Sequence, residues 1–182
     1  MLISHPDASG SYEGLAIIDD QSGITFVDPA VGQVMDIPDS SISHPTQSVT
    51  TIEGASKARP CKIIHGLIIT PLDGQPAIEL PPSVMQNNIP SAIEQVPSRN
   101  DVANTAGFQH LAAKFPEKNH DWPTLLLIGR DCIEAQWQQQ YHAKKENRTQ
   151  MVVKTPLGWI LVGYPPRPKS DPRQSTSATV VP

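Results

Sequence analysis

The chain has 182 residues, with 14 basic against 18 acidic side chains for a net charge of −4, and aromatic residues make up only 5% of it. That balance gives no general attraction to polyanions, so no direct nucleic-acid binding is expected. No apolar run approaches the ~20 residues of a membrane-spanning helix, and two cysteines, Cys61 and Cys132, cannot form a disulfide framework or a four-thiolate metal centre.

The opening MLISHPDASG is polar and lacks the basic and apolar regions of a secretory leader. It reads as a flexible lead over 1–11, and the expected location is intracellular, in the cytoplasm. Leu15-Ala16-Ile17-Ile18 is a short continuous apolar run closed by turn formers, the pattern of a buried strand entering a loop. Ile24–Val27 resumes an extended pattern that Asp28-Pro29 ends. Thr50-Thr51-Ile52 predicts a strand with Glu53–Lys57 at a hairpin tip, and Cys61–Thr70 predicts one longer strand with a bulge at Gly66. Ala77–Leu80 is a short extended piece after the Asp73-Gly74 turn. Pro81, Pro82, Pro90 and Pro97 then punctuate a segment that is not expected to join a central sheet.

Downstream, Asn100 is placed to cap a helix over Asp101–Lys114, ended by Pro116. Leu125–Ile128 is the strongest buried-strand pattern in the chain, stopped by Gly129. Ile133, Trp137 and Tyr141 fall at i, i+4 and i+8, which predicts a helix over Asp131–His142. Met151–Thr155 and Trp159–Val162 predict two further strands, and 165–182 reads as a disordered tail rich in Pro, Ser and Thr.

Common nucleophile, phosphate-loop and metalloprotease signatures are absent. Cys61 and His65 stand four apart with no third ligand in view, which favours a half-buried thiol and an ordinary histidine over a metal site. One arrangement carries chemistry: Ile17-Ile18-Asp19 delivers a carboxylate into a loop, and a second apolar strand ends far downstream at Ile128-Gly129-Arg130-Asp131. Read alone, a strand ending in Asp is more often a capped turn. In an aspartic protease, however, such a second strand packs beside the carboxylate loop, and two carboxylates share a proton around a water. A chain with one such motif must dimerise to complete its site.

In this order, Ala16–Ser22, Gly66–Ile69, Leu72-Asp73-Gly74, Ile78–Pro81, Ile89-Pro90, Leu126–Asp131, Lys154–Trp159 and Val162-Gly163 resemble the retropepsin-like aspartic protease region of BEL/Pao-type retrotransposon polyproteins. The resemblance spans about 12–164. It implies a mainly β fold, a closed β-barrel protomer with a helical insertion at about 81–123 and one short helix in the C-terminal half. It also implies Asp19 as the catalytic residue and Asp20, Gln21 and Ser22 as the active-site loop, supported by Ile128, Gly129, Arg130 and Asp131. Ile52, Glu53, Gly54 and Ala55 stand where a flap covers the substrate, and Trp159 is expected to be structural. Arg130 is expected either to brace the loop by pairing with Asp28 or Asp20, or to face solvent. The implied partners are a second copy of the chain and an extended peptide or polyprotein substrate, with no cofactor and no metal.

The loop departs from the family pattern, which carries Thr or Ser and then Gly after the aspartate. Asp20 accepts hydrogen bonds where a hydroxyl would donate one across the dimer axis, and two Asp20 side chains near that axis repel at neutral pH. Gln21 brings a Cβ and a long side chain where glycine allows close approach. Ser22 lies near enough to replace part of the lost hydroxyl function. Two further readings stay open: a catalytically inactive fold serving dimerisation or peptide binding, and an unrelated β-rich domain.

Overall fold

Short apolar runs separated by proline and turn residues fold into many short strands and few helical turns, and the protein is mainly β. The structure is a computed structural model that describes residues 1–48, 50–51, 54–55, 57–90, 93, 96–117, 119–143, 150–163 and 179–181. In its N-terminal half lie β1 (Leu2–Ser4), β2 (Ser11–Glu13), β3 (Leu15–Ile18), β4 (Phe26–Val27), β5 (Ile42–Ser43), β6 (Thr46–Gln47), β7 (Thr50–Thr51) and β8 (Gly54–Ala55). Then follow β9 (Arg59–Pro60), β10 (Ile63–Ile64), β11 (Ile68–Thr70), β12 (Ile78–Glu79) and β13 (Ser83–Met85). The C-terminal half adds β14 (Thr124–Ile128), β15 (Gln140–Ala143), β16 (Met151–Thr155), β17 (Gly158–Val162) and β18 (Thr179–Val181). The α-helices are α1 (Pro29–Val34), α2 (Arg99–Ala103) and α3 (Ile133–Gln136).

One sheet runs β18-β3-β14-β4-β13-β10-β5 and a second runs β12-β11-β1-β2. The main core lies between them: Ile3, Ile69 and Ile78 meet Ala16, Ile18, Leu126 and Ile128. The hairpin β16–β17 is buried on both faces, because alternate residues point opposite ways. Val153 and Ile160 join the main core, while Val152, Trp159 and Leu161 pack on Phe108, Leu111 and Phe115 of the helical insertion. Trp159 is therefore a packing residue, 9% exposed.

Several expectations need correction. The lead is not loose: Met1 and Ile3 are fully buried, and β1 pairs with both β2 and β11. The expected strand Cys61–Thr70 breaks at Gly66, whose φ of 77° turns the chain from β10 in one sheet to β11 in the other. Because of that turn, and because β18 and β5 end the seven-stranded sheet without meeting, the described strands form open sheets and no closed barrel. The proline-rich segment does contribute a central strand. Pro82 precedes β13 instead of interrupting it, and Val84 pairs in parallel with Phe26, so the insertion leaves the sheet only after Met85. From the tail, Thr179–Val181 pairs with β3.

The two expected helices are shorter than their spacing suggested. Ser98, not Asn100, caps α2, through a capping box in which the Ser98 and Asp101 side chains each bind the other's backbone N–H. After Gly107 (φ 89°) the chain resumes as a 3-10 helix over Gln109–Lys114. Beyond Gln136, Trp137 is extended and Gln140–Ala143 pairs with β16, since the edge of a buried hairpin satisfies backbone groups that a helix would have to satisfy by itself. The supposed apolar face is left in solvent, with Ile133, Trp137 and Tyr141 at 79%, 71% and 60% exposure. No helix among the described residues is long and apolar enough to cross a membrane.

Burial pushes the Cys132 thiol above its ordinary pKa of 9.0, with the nearby Asp131 and Glu134 charges adding to the effect and the Ala135 backbone N–H opposing it. A thiol-directed maleimide at pH 8 should therefore label half-buried Cys61 first and reach Cys132 only on unfolding, as peptide mapping would reveal. The folded state keeps the Cys132 proton to higher pH than the unfolded chain does. Its contribution to stability is thus intact below pH 9.0 and declines as pH rises above it, measurable by urea titration.

Candidate functional site

β14 lies between β3 and β4, parallel to the first and antiparallel to the second. Leu127 is thereby opposite Ile17 on one side and Phe26 on the other, and Ile128 is opposite Ile18. Asp19 to Thr25 bridge the strands that β14 separates, and backbone bonds fasten the start of this loop to the end of β14 and its middle to the turn that follows. The Asp19 N–H donates to the Ile128 carbonyl at 3.0 Å, and the Arg130 N–H donates to the Ser22 carbonyl at 2.9 Å.

A polar clasp, part-buried because Thr25 is buried and Asp131 exposed, completes the attachment. Asp131, 106 residues after Thr25, accepts the Thr25 N–H at 2.9 Å and the Thr25 hydroxyl at 2.7 Å through its two carboxylate oxygens. The same Thr25 oxygen accepts the Gly129 N–H at 3.2 Å. On the far side, the Gln136 amide of α3 donates to the Gly129 carbonyl at 2.6 Å. A Cβ on Gly129 would collide with the Ile24 backbone, so glycine is required by close approach.

Asp19 sits half-exposed at the mouth of this loop, where its Oδ1 accepts the Gln21 N–H at 2.9 Å. Asp20 and Gln21 are exposed, and the Gln21 amide donates to the Asp20 carboxylate at 2.9 Å. The Ser22 N–H donates to the Asp19 carbonyl at 3.3 Å, but the Ser22 hydroxyl is engaged away from the Asp19 carboxylate. That hydroxyl donates to the Ile24 carbonyl at 2.7 Å and closes a local turn. Among the described residues the Arg130 guanidinium makes no ion pair and is exposed, while Asp28 instead caps α1 through the Ala30 N–H at 2.8 Å. The bracing falls to Asp131 and to Thr25, a residue the sequence reading passed over. A threonine just before an apolar pair at the start of β4 was its only signal.

Of the flap candidates, Gly54 and Ala55 form β8, paired with β7 in a two-stranded hairpin. Ile52 and Glu53 lie outside the described residues. Cys61 and His65 do not converge on one ligand: the thiol points to the Pro45 carbonyl, and the His65 ring bonds Ser43 at 2.8 Å. No group of three metal-ligating side chains is present among the described residues.

Beside the loop, a cleft of about 780 Å³ opens over β4, β14 and β13, bordered by Arg59–Cys61 on one side and Gln86–Pro90 on the other. Its floor includes Phe26 and Leu127, in the cross-strand row that contains Ile17, two residues before Asp19. Alternation along the strand directs Asp19 toward that same face. Comparison with protein-family models, curated proteins and solved structures finds no match.

Two substitutions probe the clasp. Gly129→Ala should unfold the chain or shift its urea midpoint sharply, since the contacting atoms are backbone and cannot rotate away. Thr25→Val strands the Gly129 N–H and one Asp131 oxygen and should cost about 1–3 kcal/mol in urea titration. Thr25→Ser keeps the hydroxyl and should retain most of that stability.

Proposed function

We propose that the chain is one half of an aspartic endopeptidase, completed when a second copy brings its own Asp19 to a shared axis. The observation that carries this reading is the carboxylate-bearing loop whose two ends are fastened to a distant strand and to the turn that follows it. A single half-exposed carboxylate has little hydrolytic power. Two held close cannot both ionise, so one keeps a proton and the other acts as a base. The ionised Asp19 takes a proton from the attacking water while the protonated one gives its proton to the scissile carbonyl oxygen. Collapse of the resulting tetrahedral intermediate breaks the C–N bond, and the amine leaves with a proton. The steps require neither metal nor organic cofactor. The substrate is an extended segment of the polyprotein in which such a domain is encoded, held by strand-like backbone pairing.

A second reading is favoured by one observation. The Asp20 carboxylate is bound to the Gln21 amide within its own loop and has no proton to donate to a second copy. On that reading the chain is an inactive fold retained for dimerisation or peptide binding.

Cleavage of a flanking-polyprotein substrate should be lost in Asp19→Asn. Equal, negligible cleavage by both proteins would leave the inactive-fold reading standing. Sedimentation should show more dimer for Asp20→Asn than for the unaltered chain, because the substitution removes the like charges that two copies bring together; monomer for both counts against the peptidase. The double variant Asp20→Thr with Gln21→Gly should strengthen association and raise cleavage.

A further inference from the structure

The cleft beside the Asp19 loop has a composition unlike the rest of the surface. Two of the three phenylalanines, Phe108 and Phe115, are 1% exposed, whereas Phe26 is half-buried on the cleft floor. Leu127 lies beside it, also half-buried although β14 is a central strand. Ile89 and Pro90 rise along one border, past Asn88 in the left-handed region at φ 68°. Ile89 also packs against the cluster of Leu15, Ile17 and Val96, which ties that border to the strand carrying Asp19. The other border holds Arg59, the one charged residue lining the cleft among the described residues. Arg59 is exposed and makes no ion pair among the described residues. Gln86, Asn87 and Asn88 add carboxamides, which both donate and accept.

We infer that this cleft binds an extended peptide presenting a bulky aliphatic side chain and, two residues along on the same face, an acidic one. The aliphatic side chain rests on Phe26 and Leu127 against the Ile89–Pro90 border, and the acidic side chain pairs with Arg59. An apolar floor explains the first preference, a lone cation the second, and the carboxamides match the alternating N–H and C=O groups of a peptide backbone. Ile89 and Arg59 are thus specificity-determining residues. The inference rests on the peptidase reading only for the fate of the peptide after it binds.

The test uses short fluorescein-labelled peptides in a serine-rich host, with Leu-Ser-Glu, Leu-Ser-Lys or Ser-Ser-Glu at the centre, named below by their two outer residues. Fluorescence anisotropy is read on the full chain carrying Asp19→Asn, so that binding is measured without turnover. Leu-Glu should bind about fivefold tighter than Leu-Lys, as expected for a partly exposed ion pair. Leu-Glu should bind about tenfold tighter than Ser-Glu, as expected for an aliphatic side chain in an apolar pocket. Adding Arg59→Glu should reverse the Glu-over-Lys order and leave the Leu-over-Ser order intact, and adding Ile89→Ala should narrow only the latter. Bound Leu-Glu peptide should also slow maleimide labelling of Cys61, which lines the same cleft. Equal affinity for Leu-Glu and Leu-Lys before and after Arg59→Glu, or Cys61 labelling unchanged by bound peptide, overturns the inference. Binding with the stated preferences but no cleavage by the chain with Asp19 intact overturns the peptidase reading alone. Cleavage with no preference for Glu over Lys overturns the present inference alone.

Discussion

The bond between Thr25 and Asp131 is the interaction on which the site depends. β3 and β4 follow each other in the chain, yet β14 lies between them, so they cannot pair directly. Their connecting loop must span two strand spacings, about 9–10 Å, without a ladder to hold it. A loop in that position would fray unless fastened from the side, and its fastener comes from 106 residues downstream. One carboxylate accepts both the backbone and the hydroxyl of Thr25, and that hydroxyl in turn receives the Gly129 N–H. Charge-assisted bonds hold more firmly than neutral ones, which fastens the far end of the loop that begins at Asp19.

The rest of the fold supplies a rigid backing for that loop. Core side chains from both sheets converge beneath β3 and β14, and the twice-buried β16–β17 hairpin locks the helical insertion to the same mass. On the opposite face, among the described residues, Val96 with Ile89, Ile93 and Trp122 covers Leu15 and Ile17 of β3 but leaves Leu127 of β14 half-buried. That uneven cover leaves Phe26 and Leu127 at the floor of a cleft instead of in the core. Asp19 thus follows a strand packed tightly in the core, one cross-strand row away from the residues that floor the cleft.

The loop's own chemistry pulls against the assembly that catalysis needs. A dyad requires two Asp19 side chains close together, yet each copy also brings an Asp20 carboxylate already satisfied by Gln21 within its own chain. A hydroxyl there would reach outward for a partner; a carboxylate bound internally does not. On the proposed peptidase reading, association would rest on surfaces other than the loop tip, and activity on whether they bring the two carboxylates into contact against their mutual repulsion.

The strands legible from residues alone were those with strong local patterns: Leu15–Ile18, Leu125–Ile128, Met151–Thr155 and the strand carrying Trp159. Continuous apolar runs bounded by turn formers have few alternatives to burial in a sheet. The position of Asp19 after the first run and of Gly129 after the second was equally readable, because strand ends set where a loop begins. Ile133, Trp137 and Tyr141 misled, since helical spacing states only what a segment would do without a partner, and β16 offered its backbone a better one. The polar opening residues misled in the opposite sense, because Met1 and Ile3 are buried by strands that arrive from elsewhere in the chain. Sequence by itself determined which segments are extended, where the carboxylate emerges and which glycine follows the second strand. Tertiary structure alone decided that Thr25 and Asp131 form the clasp, that Arg130 stays unpaired among the described residues and that Phe26 floors a cleft. Those outcomes depend on contacts between residues far apart in the chain, which no local pattern encodes.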